Sequence, residues 1–306
     1  MNNAVLIDSF AHIYRGFYAL PPLTNSSGMP TNAIFAFAKT LLFIEKNFPS
    51  SHGAAVFDKG RPLERLNLAP DYKATRPPTP PELLQQIPHT KEIADAFGWQ
   101  VAEYDNCEAD DIISAFCAKF AGMQIKIATN DKDLAQLVDK NITMLVTGKD
   151  GGMQRLDIDG VIAKFAVRPS QIVDYLSLIG DHSDNIPGAA GVGPKTASKL
   201  LAEFSSLENL LNNPSSIKSE KTRAAIIAAT EQLKKNQKLI RLSNTNPYTD
   251  SHGLDEFAKR EADLGRIEKI CEELELKSIL AEIRKKNEAP KTKEVEELKT
   301  YTPDLF

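Results

Sequence analysis

The chain reads Ile125-Lys126-Ile127-Ala128-Thr129-Asn130-Asp131-Lys132-Asp133 where a short apolar run meets two carboxylates. The run has the length and the β-branched content of a buried parallel strand. Two other runs, Ala4–Ile7 and Ala54–Phe57, end in the same way, at Asp8 and Asp58. Since ligands of open α/β sheets bind beyond the carboxyl ends of the strands, these three strands predict one acidic crevice.

Helical patterns separate these strands. Apolar residues recur at helical spacing in Ala33–Phe48, Glu82–Phe97 and Ala109–Ala121. Ile142–Val146 predicts a further strand, followed by a turn at Gly151-Gly152. Alternation of strands and helices is typical of a parallel sheet with helices on both faces. We therefore expect an α/β domain over about residues 1–168.

The second half of the chain changes character. Its patterns are helical throughout, in Ser170–Gly180, Thr196–Glu203, Leu207–Leu211, Arg223–Ile240 and Ile267–Arg284. We expect an all-helical region over about residues 169–285. The last residues, about 286–306, are rich in Lys, Glu and Pro and lack a core pattern, which predicts a flexible tail.

The composition excludes several classes of protein. The 306 residues are 42% hydrophobic and 25% charged, as in globular domains, which excludes wholesale disorder. No apolar run reaches the roughly 18 residues of a membrane span, and the N-terminus lacks the pattern of a secretory signal. The three cysteines form no CxxC pair, which disfavours a disulfide scaffold or a zinc ribbon. We therefore expect a soluble cytoplasmic protein without a membrane partner.

Nine carboxylates on five segments make up the predicted crevice. Besides the strand ends, a helix start contributes Glu108, Asp110 and Asp111, and a later turn contributes Asp181 and Asp184. Any one of them alone would be interpreted as a helix cap or a turn residue, but nine like charges packed together destabilise a fold unless cations neutralise them. Oxygen ligands suit Mg²⁺ or Mn²⁺, and no histidine or cysteine joins the set, which disfavours zinc. Paired divalent ions held by acids, without a nucleophilic side chain, indicate hydrolysis of phosphodiesters by metal-activated water.

The net charge of −4 is compatible with a nucleic-acid substrate. Nine of the 41 acidic residues belong to the crevice, which leaves 32 against 37 basic residues elsewhere. Basic residues are concentrated in Lys59–Arg76 and Lys218–Arg241. Such runs are commonly solvated helix faces, but beside an acidic metal site they indicate a track for phosphates. The first run continues into Pro77–Pro81, which predicts an exposed excursion rather than core.

The stretch Pro187–Ala197 contains closely spaced glycines before an apolar helix. A plain loop is the alternative interpretation. The spacing does not fit a Walker loop, and a dinucleotide-binding fingerprint would follow a strand. Glycines permit a tight turn whose amides approach a phosphate, and the following helix N-terminus adds its dipole. We therefore predict a helix–hairpin–helix motif that binds the DNA backbone through Gly191, Val192, Gly193, Pro194, Lys195 and Thr196.

Seven motifs occur along the chain in a characteristic order. They are Ile7-Asp8-Ser9, Phe57-Asp58, Tyr72–Pro80, Glu108-Ala109-Asp110-Asp111, Thr129–Leu134, Gly180–Gly188 and Gly191–Ala197. Over residues 1 to about 285 the chain therefore resembles the 5′ nuclease domain of bacterial DNA polymerase I, a member of the flap-endonuclease family. The resemblance implies a PIN-like parallel-sheet catalytic domain with a helical arch, followed by an all-helical helix–hairpin–helix region. It also implies a structure-selective 5′→3′ exonuclease that cuts 5′ flaps and removes RNA primers in DNA replication and repair.

The resemblance assigns roles to the acids. Around a first Mg²⁺ or Mn²⁺ ion it implies Asp8, Asp58, Glu108 and Asp110. Around a second ion it implies Asp111, Asp131, Asp133, Asp181 and Asp184, some of them through water. Because the set is complete, the resemblance implies catalysis rather than binding alone.

The resemblance also implies contacts with DNA and with potassium. The family's arch, through which a single-stranded 5′ end passes, corresponds to residues 59 to about 86. Within it, Tyr72 would stack on a base, and Lys73 and Arg76 would meet phosphates. Arg15 would help to grip the scissile phosphate. A K⁺ ion that bridges the hairpin to duplex DNA would bind the backbone carbonyls of Leu178, Ile179, Pro187, Ala189 and Val192.

The chain ends in Asp304-Leu305-Phe306, which resembles the short peptides that dock on bacterial sliding clamps, although their usual glutamine is missing. A hydrophobic pair at a flexible end is also compatible with no binding at all. No polymerase or proofreading region follows, so a free-standing nuclease and an excised domain both stay open. We expect a monomer.

Three other functions share parts of this pattern. A non-catalytic module that binds DNA junctions would have the same fold, and the complete acidic set disfavours it. A toxin-like PIN-domain ribonuclease would share the acidic α/β core, but such chains lack the hairpin and the proline-rich arch. A small-molecule phosphatase would leave the hairpin unexplained.

Overall fold

The structure is a computed structural model that describes residues 3–148 and 152–288. Its main strands are β1 (Asn3–Asp8), β2 (His52–Val56), β3 (Gln100–Ala102), β4 (Gln124–Ala128), β5 (Ile142–Thr147) and β6 (Met153–Leu156). They form one sheet in the order β3-β2-β1-β4-β5-β6, in which β6 alone of these strands is antiparallel to its neighbour. The predicted α/β class and its parallel sheet are confirmed.

The helices of the first half lie between these strands, and those of the second half follow them. In the first half they are α1 (Ser9–Ala19), α2 (Asn32–Asn47), α3 (Leu63–Leu68), α4 (Pro81–Ala96), α5 (Ala109–Lys119) and α6 (Ile158–Phe165). In the second half they are α7 (Ile172–Ile179), α8 (Pro194–Phe204), α9 (Leu207–Asn212), α10 (Glu220–Ala228), α11 (Thr230–Ile240), α12 (Pro247–Ser251), α13 (Leu264–Glu273) and α14 (Lys277–Glu288). The sequence did not predict α1, β3, β6 or α6.

Strand β1 lies in the middle of the sheet and is buried on both faces. Ala4 and Leu6 face a core that includes α5 and most of the second-half helices. Val5 and Ile7 face a second core formed with α1, α2, α4, α13 and α14. Because successive side chains of a strand point to opposite faces, a strand buried on both faces needs a continuous apolar run, as Ala4–Ile7 is.

The helical region departs from the predicted pattern at two breaks. The helix predicted over Arg223–Ile240 is two helices, α10 and α11, because the chain turns at Ala229. The helix predicted over Ile267–Arg284 is divided between α13 and α14, where Glu275 adopts a left-handed φ of 55°. Such a φ interrupts a right-handed helix. Helices α13 and α14 pack against α4 and α2, so the chain returns to the sheet after the helical region.

A two-stranded antiparallel ribbon, β7 (Gly180–Asp181) and β8 (Ile186–Pro187), interrupts the otherwise helical region. A Cβ at Gly180 would lie 2.4 Å from the amide nitrogen of Gly188, and one at Gly188 would lie 2.4 Å from the carbonyl carbon of Ile179. Gly180 also has a φ of 78°, which side chains rarely tolerate. The ribbon therefore brings its strands together only because both positions lack a side chain.

The segment expected to form the arch, residues 59–86, is less exposed than its prolines predict. It contains the short helix α3 and the first residues of α4, joined by turns and extended backbone. Arg65, Ala69 and Tyr72 are buried. The expectation of an exposed excursion is wrong at these positions, because their side chains pack against the acids and the core that includes α5 and most of the second-half helices.

Some sequence expectations lie outside the described residues. Helix α14 continues to Glu288, and residues 289–306, with the clamp-like Asp304-Leu305-Phe306, are not among those described. The same holds for Gly151 of the predicted turn. Of the helices described, none is both long and apolar enough to cross a membrane.

The crossing of α1 and α2 provides a test of the packing. Gly16→Ala is expected to lower the free energy of unfolding by about 2 kcal/mol, since the new Cβ would lie 2.3 Å from the Cβ of Ala36. Urea denaturation measures the change. Gly265→Ala is the control, because a Cβ there meets only Asp263 at 3.7 Å and alanine favours a helix. Wild-type stability of Gly16→Ala, or no recovery in Gly16→Ala/Ala36→Gly, would contradict the tight crossing.

Candidate metal centre

Asp8 ends β1 and caps the helix that follows. Its Oδ1 accepts the backbone N–H of Ala11 at 3.3 Å, as expected of an N-cap residue of α1. Its Oδ2 accepts the hydroxyl of Thr129, which directly follows β4, at 2.7 Å. One carboxylate oxygen of Asp8 therefore caps α1, and the other binds Thr129 at the end of β4.

The start of α5 is arranged differently. Glu108 occupies the N-cap position, but its side chain makes no capping hydrogen bond. Asp58, at the end of β2, accepts the backbone N–H of Ala109 at 2.7 Å instead. The carboxylate of Glu108 is therefore available to other groups, and Asp110 and Asp111 follow it in the first turn of the helix.

The acids nearest the strand ends raise one another's pKa values. Burial, with contributions from the carboxylates of Asp58 and Asp131, raises the pKa of Asp8 to about 7, despite the hydrogen bond from Thr129. Burial raises the pKa of Asp110 well above its usual range, and Asp131 and Asp8 raise it further. Carboxylates in this arrangement do not all ionise together unless a cation joins them.

A second acidic group lies beside the first. Asp133, Asp181 and Asp184 each offer a carboxylate oxygen, and these oxygens lie within 4.8 Å of one another. Oδ1 of Asp133 is buried without a hydrogen-bond partner among the described residues. Burial, with the charge of Asp131, raises the pKa of Asp133 well above its usual range. A buried carboxylate oxygen without a donor is unfavourable unless a cation binds it, and an all-oxygen donor set fits Mg²⁺ or Mn²⁺.

Basic side chains of the chain itself bind the outer acids. The pairs are Lys73 with Glu108, Arg76 with Asp184 at 2.5 Å, and Lys132 with Asp181 at 2.9 Å. Against the effect of its burial, hydrogen bonds from Ser183 and Lys132 hold the pKa of Asp181 below its usual value. The inner acids form no ion pair within the part of the chain that the structure describes; they are Asp8, Asp58, Asp110, Asp131 and Asp133. The acids nearest the strand ends therefore lack a paired basic side chain among the described residues.

Arg65 was not predicted as a site residue, yet it joins three parts of the centre. Its Nη1 lies 2.5 Å from carboxylate oxygens of both Glu108 and Asp111, and its Nε donates to the carbonyl of Leu239 in α11 at 2.9 Å. Glu108 and Asp111 do share one helical face, as their spacing predicts. Asp111, which was predicted beside the second ion, is bound here by Arg65 and by the backbone N–H of Ser243.

Two residues with predicted DNA contacts differ in accessibility. Tyr72 is only 5% exposed, and its hydroxyl lies 3.4 Å from Glu108 and 3.3 Å from Asp184. Its ring lies in the core that includes α5 and most of the second-half helices, so stacking on a base requires this segment to move. Arg15 is exposed on α1 and forms no ion pair within the described ranges. It is therefore accessible to a phosphate.

His12 was also missed by the sequence analysis. It lies one turn after Asp8, is buried, and its Nε2 donates to the carbonyl of Ala128 at 3.1 Å. Burial lowers its pKa to about 4, so the ring is neutral near pH 7. Its contribution is to fix the end of β4 beneath the acids.

The predicted hairpin is the turn that joins β8 to α8. Gly191 adopts a left-handed φ of 74°, and Gly193 is the N-cap residue of α8 without a side-chain cap. Gly191, Gly193 and Lys195 are exposed, whereas Val192 is buried. A left-handed glycine followed by an uncapped, exposed helix start is compatible with binding of a phosphate backbone.

Several carbonyls predicted to bind K⁺ accept hydrogen bonds. Leu178 accepts from the backbone N–H of Ala189 at 2.9 Å, and Ala189 accepts from that of Val192 at 3.0 Å. Pro187 accepts from the side-chain amide of Asn236 at 2.8 Å. Because a carbonyl oxygen has two lone pairs, each retains one for a cation. The potassium site therefore stays a prediction that this backbone permits.

Two family models together match most of the chain. One, described as the 5′-3′ exonuclease N-terminal resolvase-like domain, matches residues 3–166. The other, described as the 5′-3′ exonuclease C-terminal SAM fold, matches residues 167–264. The chain belongs to the 5′-3′ exonuclease family. The resemblance inferred from the seven motifs is thereby confirmed.

Relatives of this exonuclease family occur both as short chains and as parts of polymerases. A 5′-3′ exonuclease of Aquifex aeolicus is 38% identical over 290 residues, which cover 93% of this chain and 96% of the relative. A DNA polymerase I of Bacillus caldotenax is 36% identical over 293 residues, which cover 95% of this chain and 33% of the polymerase. The chain thus spans nearly the whole of the first relative and a third of the second.

Solved structures of other nucleases share the fold. T5 5′-exonuclease with bound divalent metal ions (zinc) has a TM-score of 0.68 at 18% sequence identity, covering 90% of this chain and 99% of that one. The catalytic core of Rad2 in complex with DNA substrate has a TM-score of 0.61 at 15% identity, covering 92% of this chain and 91% of that one. At this identity the likeness shows a common fold, including the order of sheet and helical region.

The exonuclease is expected to gain thermal stability from Mg²⁺, and more so as the pH rises. Because the folded-state pKa of Asp8 is raised to about 7, its protonated form stabilises the metal-free protein at low pH, and this stability is lost as the pH rises to 7. A divalent ion binds the ionised acids and restores it. Adding ~10 mM Mg²⁺ should raise the melting temperature by about 3 °C at pH 8 and by less than about 1 °C at pH 5.5.

Differential scanning fluorimetry measures these shifts. Asp8→Asn/Asp131→Asn is the matched variant, since it removes two inner acids while preserving side-chain size. It should show little gain at either pH. An equal gain at both pH values, or in both proteins, would contradict a metal centre at these acids.

Arg65→Lys is expected to lower the free energy of unfolding of the metal-free protein by about 2 kcal/mol. Lysine keeps the charge but cannot bind Glu108, Asp111 and the carbonyl of Leu239 together, so buried acceptors lose their donors. Arg61→Lys is the control, because Arg61 is exposed and forms no ion pair in the described segments. Urea denaturation compares the free energies of unfolding of the two variants. Equal values would contradict the role given to the guanidinium group of Arg65.

Proposed function

We propose that this chain is a structure-selective 5′ nuclease, a 5′→3′ exonuclease and 5′-flap endonuclease that hydrolyses phosphodiester bonds with divalent metal ions. The observation that carries the proposal is that carboxylates from both halves of the chain lie close enough to raise one another's pKa values beyond the effect of burial, as Asp131, Asp181 and Asp184 do for Asp133. Membership of the 5′-3′ exonuclease family supports the class of reaction. Proteins of the same fold with bound divalent ions and with DNA substrate support the ions and the substrate.

We propose that the centre holds two ions. In this proposal the first is held by Asp8, Asp58, Glu108 and Asp110. The second is held by Asp111, Asp131, Asp133, Asp181 and Asp184, directly or through water. Mg²⁺ or Mn²⁺ bound there supplies a water of lowered pKa and stabilises negative charge on the leaving oxygen. The buried, unpartnered Oδ1 of Asp133 is the strongest single support for a cation in the second group.

Lys73 and Arg76 bind the substrate phosphate in this proposal. Both now neutralise carboxylates of the crevice, Glu108 and Asp184. With Glu108 and Asp184 holding divalent ions instead, the ammonium group of Lys73 and the guanidinium group of Arg76 would become available to phosphate oxygens. These two groups would then orient the scissile bond beside the inner acids.

Other contacts hold the rest of the substrate. Arg15 is exposed and grips the scissile phosphate, and Tyr72 stacks on a base once residues 59–86 move away from the acids. The hairpin residues Gly191, Val192, Gly193, Pro194, Lys195 and Thr196 contact the backbone of the duplex. A K⁺ ion at the carbonyls of Leu178, Ile179, Pro187, Ala189 and Val192 would bridge the hairpin to that duplex.

The cellular role proposed for this activity is removal of primers, including RNA, during DNA replication, and processing of 5′ ends in repair. The exonuclease would act as a monomer in the cytoplasm. A contact with the sliding clamp through Asp304-Leu305-Phe306 is part of the proposal, and unchanged clamp affinity after deletion of these three residues would remove it.

Cleavage of a labelled double-flap DNA tests the reaction. With Mg²⁺, the wild-type chain should cut near the junction between flap and duplex. Asp131→Asn/Asp133→Asn should reduce the rate by about 10³-fold or more, because it removes two of the carboxylates proposed to hold the second ion. Gel electrophoresis of the labelled products measures both the rate and the position of the cut.

Two controls separate binding from catalysis. Asp255→Asn/Glu256→Gln changes two exposed acids far along the chain from the crevice and should cut at the wild-type rate. Fluorescence anisotropy in EDTA should show that the Asp131→Asn/Asp133→Asn variant still binds the DNA. Tight binding by the wild type without any cleavage in Mg²⁺ or Mn²⁺ would establish a DNA-junction binding module instead.

A further inference from the structure

We infer that Thr129 is a positioning residue of the metal centre, whose single hydroxyl fixes Asp8 and Asp131 relative to each other and thereby sets the affinity for divalent ions. Thr129 carries no charge and binds no ion itself. The inference rests on the proposed function, since it takes these acids to be ion ligands.

The hydrogen bonds of Thr129 have fixed directions. Its Oγ1 lies 2.9 Å from the backbone nitrogen of Asp131 and 2.7 Å from Oδ2 of Asp8. A backbone N–H can only donate, so Oγ1 accepts from Asp131. The single hydroxyl hydrogen is then directed to the carboxylate of Asp8. One side chain thus joins the ends of two neighbouring parallel strands.

The hydroxyl has little freedom to leave this position. Thr129 is fully buried, and its backbone N–H donates to the carbonyl of Leu145 in β5 at 3.1 Å. The preceding carbonyl, of Ala128, accepts the hydrogen bond from His12. A β-branched side chain is also stiff about its first torsion. The backbone on both sides of the hydroxyl is therefore held, and so is its direction.

The effect extends one step further along the chain. Oδ1 of Asp131 accepts the backbone N–H of Asp133 at 2.9 Å, so the turn that Thr129 starts also places Asp133. Without the hydroxyl, the N–H of Asp131 and Oδ2 of Asp8 would both lack their partner. Loss of a group that orients metal ligands typically lowers metal affinity by about 10- to 100-fold.

A structural role alone predicts a different pattern of variants. Thr129→Val keeps the shape and the β-branch but removes the hydroxyl, whereas Thr129→Ser keeps the hydroxyl and removes a methyl group. If Thr129 served only packing, the serine variant would be affected at least as much as the valine variant. If it positions the acids, serine retains ion affinity and valine loses it.

The experiment is a titration of the full chain with Mn²⁺ in the absence of DNA, with free Mn²⁺ measured by electron paramagnetic resonance. Thr129→Val should bind the ion at least about 10-fold more weakly than wild type, and Thr129→Ser within about threefold. Thr147→Val is the matched control, because its hydroxyl is buried at the end of β5 without a hydrogen-bond partner in the described part of the chain. It should bind Mn²⁺ with wild-type affinity.

The outcomes separate this inference from the proposed function. Absence of Mn²⁺ binding by the wild type would overturn the metal centre itself. Wild-type binding together with equal affinity in Thr129→Val, or with equal losses in Thr129→Val and Thr129→Ser, would overturn the role of Thr129 alone. If Thr129→Val lowers the melting temperature, the titration is done well below that temperature. Affinity for DNA in EDTA then serves as the measure that the variant is folded, so the comparison stays decisive.

Discussion

The concentration of negative charge at one edge of the sheet is the constraint on which the rest of this structure depends. Parallel strands bring their carboxyl ends to the same edge, so the acids after β1, β2 and β4 meet there whatever else the chain does. Burial weakens the screening of their repulsion by water. Two features of the structure reduce this repulsion. The inner acids, such as Asp8, have raised pKa values, and the outer acids bind basic side chains.

Those basic side chains join parts of the molecule that are distant in sequence. Lys132 extends from the turn after β4 to Asp181 in the helical region, and Arg65 links α3 to α5 and α11. Buried ion pairs of this kind are weak evidence that a fold is stable. They are better evidence that the groups they join adopt one defined arrangement. Here they couple the position of residues 59–86 to the charge of the crevice, because Lys73 and Arg76 belong to that segment. A change in the charge of the crevice would therefore alter the contacts that hold this segment.

Much of the centre was predictable because its signals are local. Apolar runs such as Ala4–Ile7 identify buried strands. The grouping of the acids directly after these runs then follows from the rule that the ends of parallel strands converge. The sequence analysis missed elements whose residue pattern does not stand out from that of their neighbours. Strand β3 has only three residues, and helix α1 begins directly at the end of β1. Arg65 could not be assigned, since its partners include Leu239, 174 residues away. Nor does the sequence reveal that Tyr72 is buried, which depends on how residues 59–86 fold against the acids.

The two sides of the crevice differ in mechanical character. Asp181 ends strand β7 and Asp184 lies on the turn that follows it. At Gly180 and Gly188 the backbone of this ribbon packs against backbone, and no side chain is present there that could rotate to make room. Lys73 and Arg76, opposite them, are long side chains with several torsions each. The side formed by the ribbon is therefore rigid, whereas the side formed by Lys73 and Arg76 can adjust by rotation about side-chain torsions.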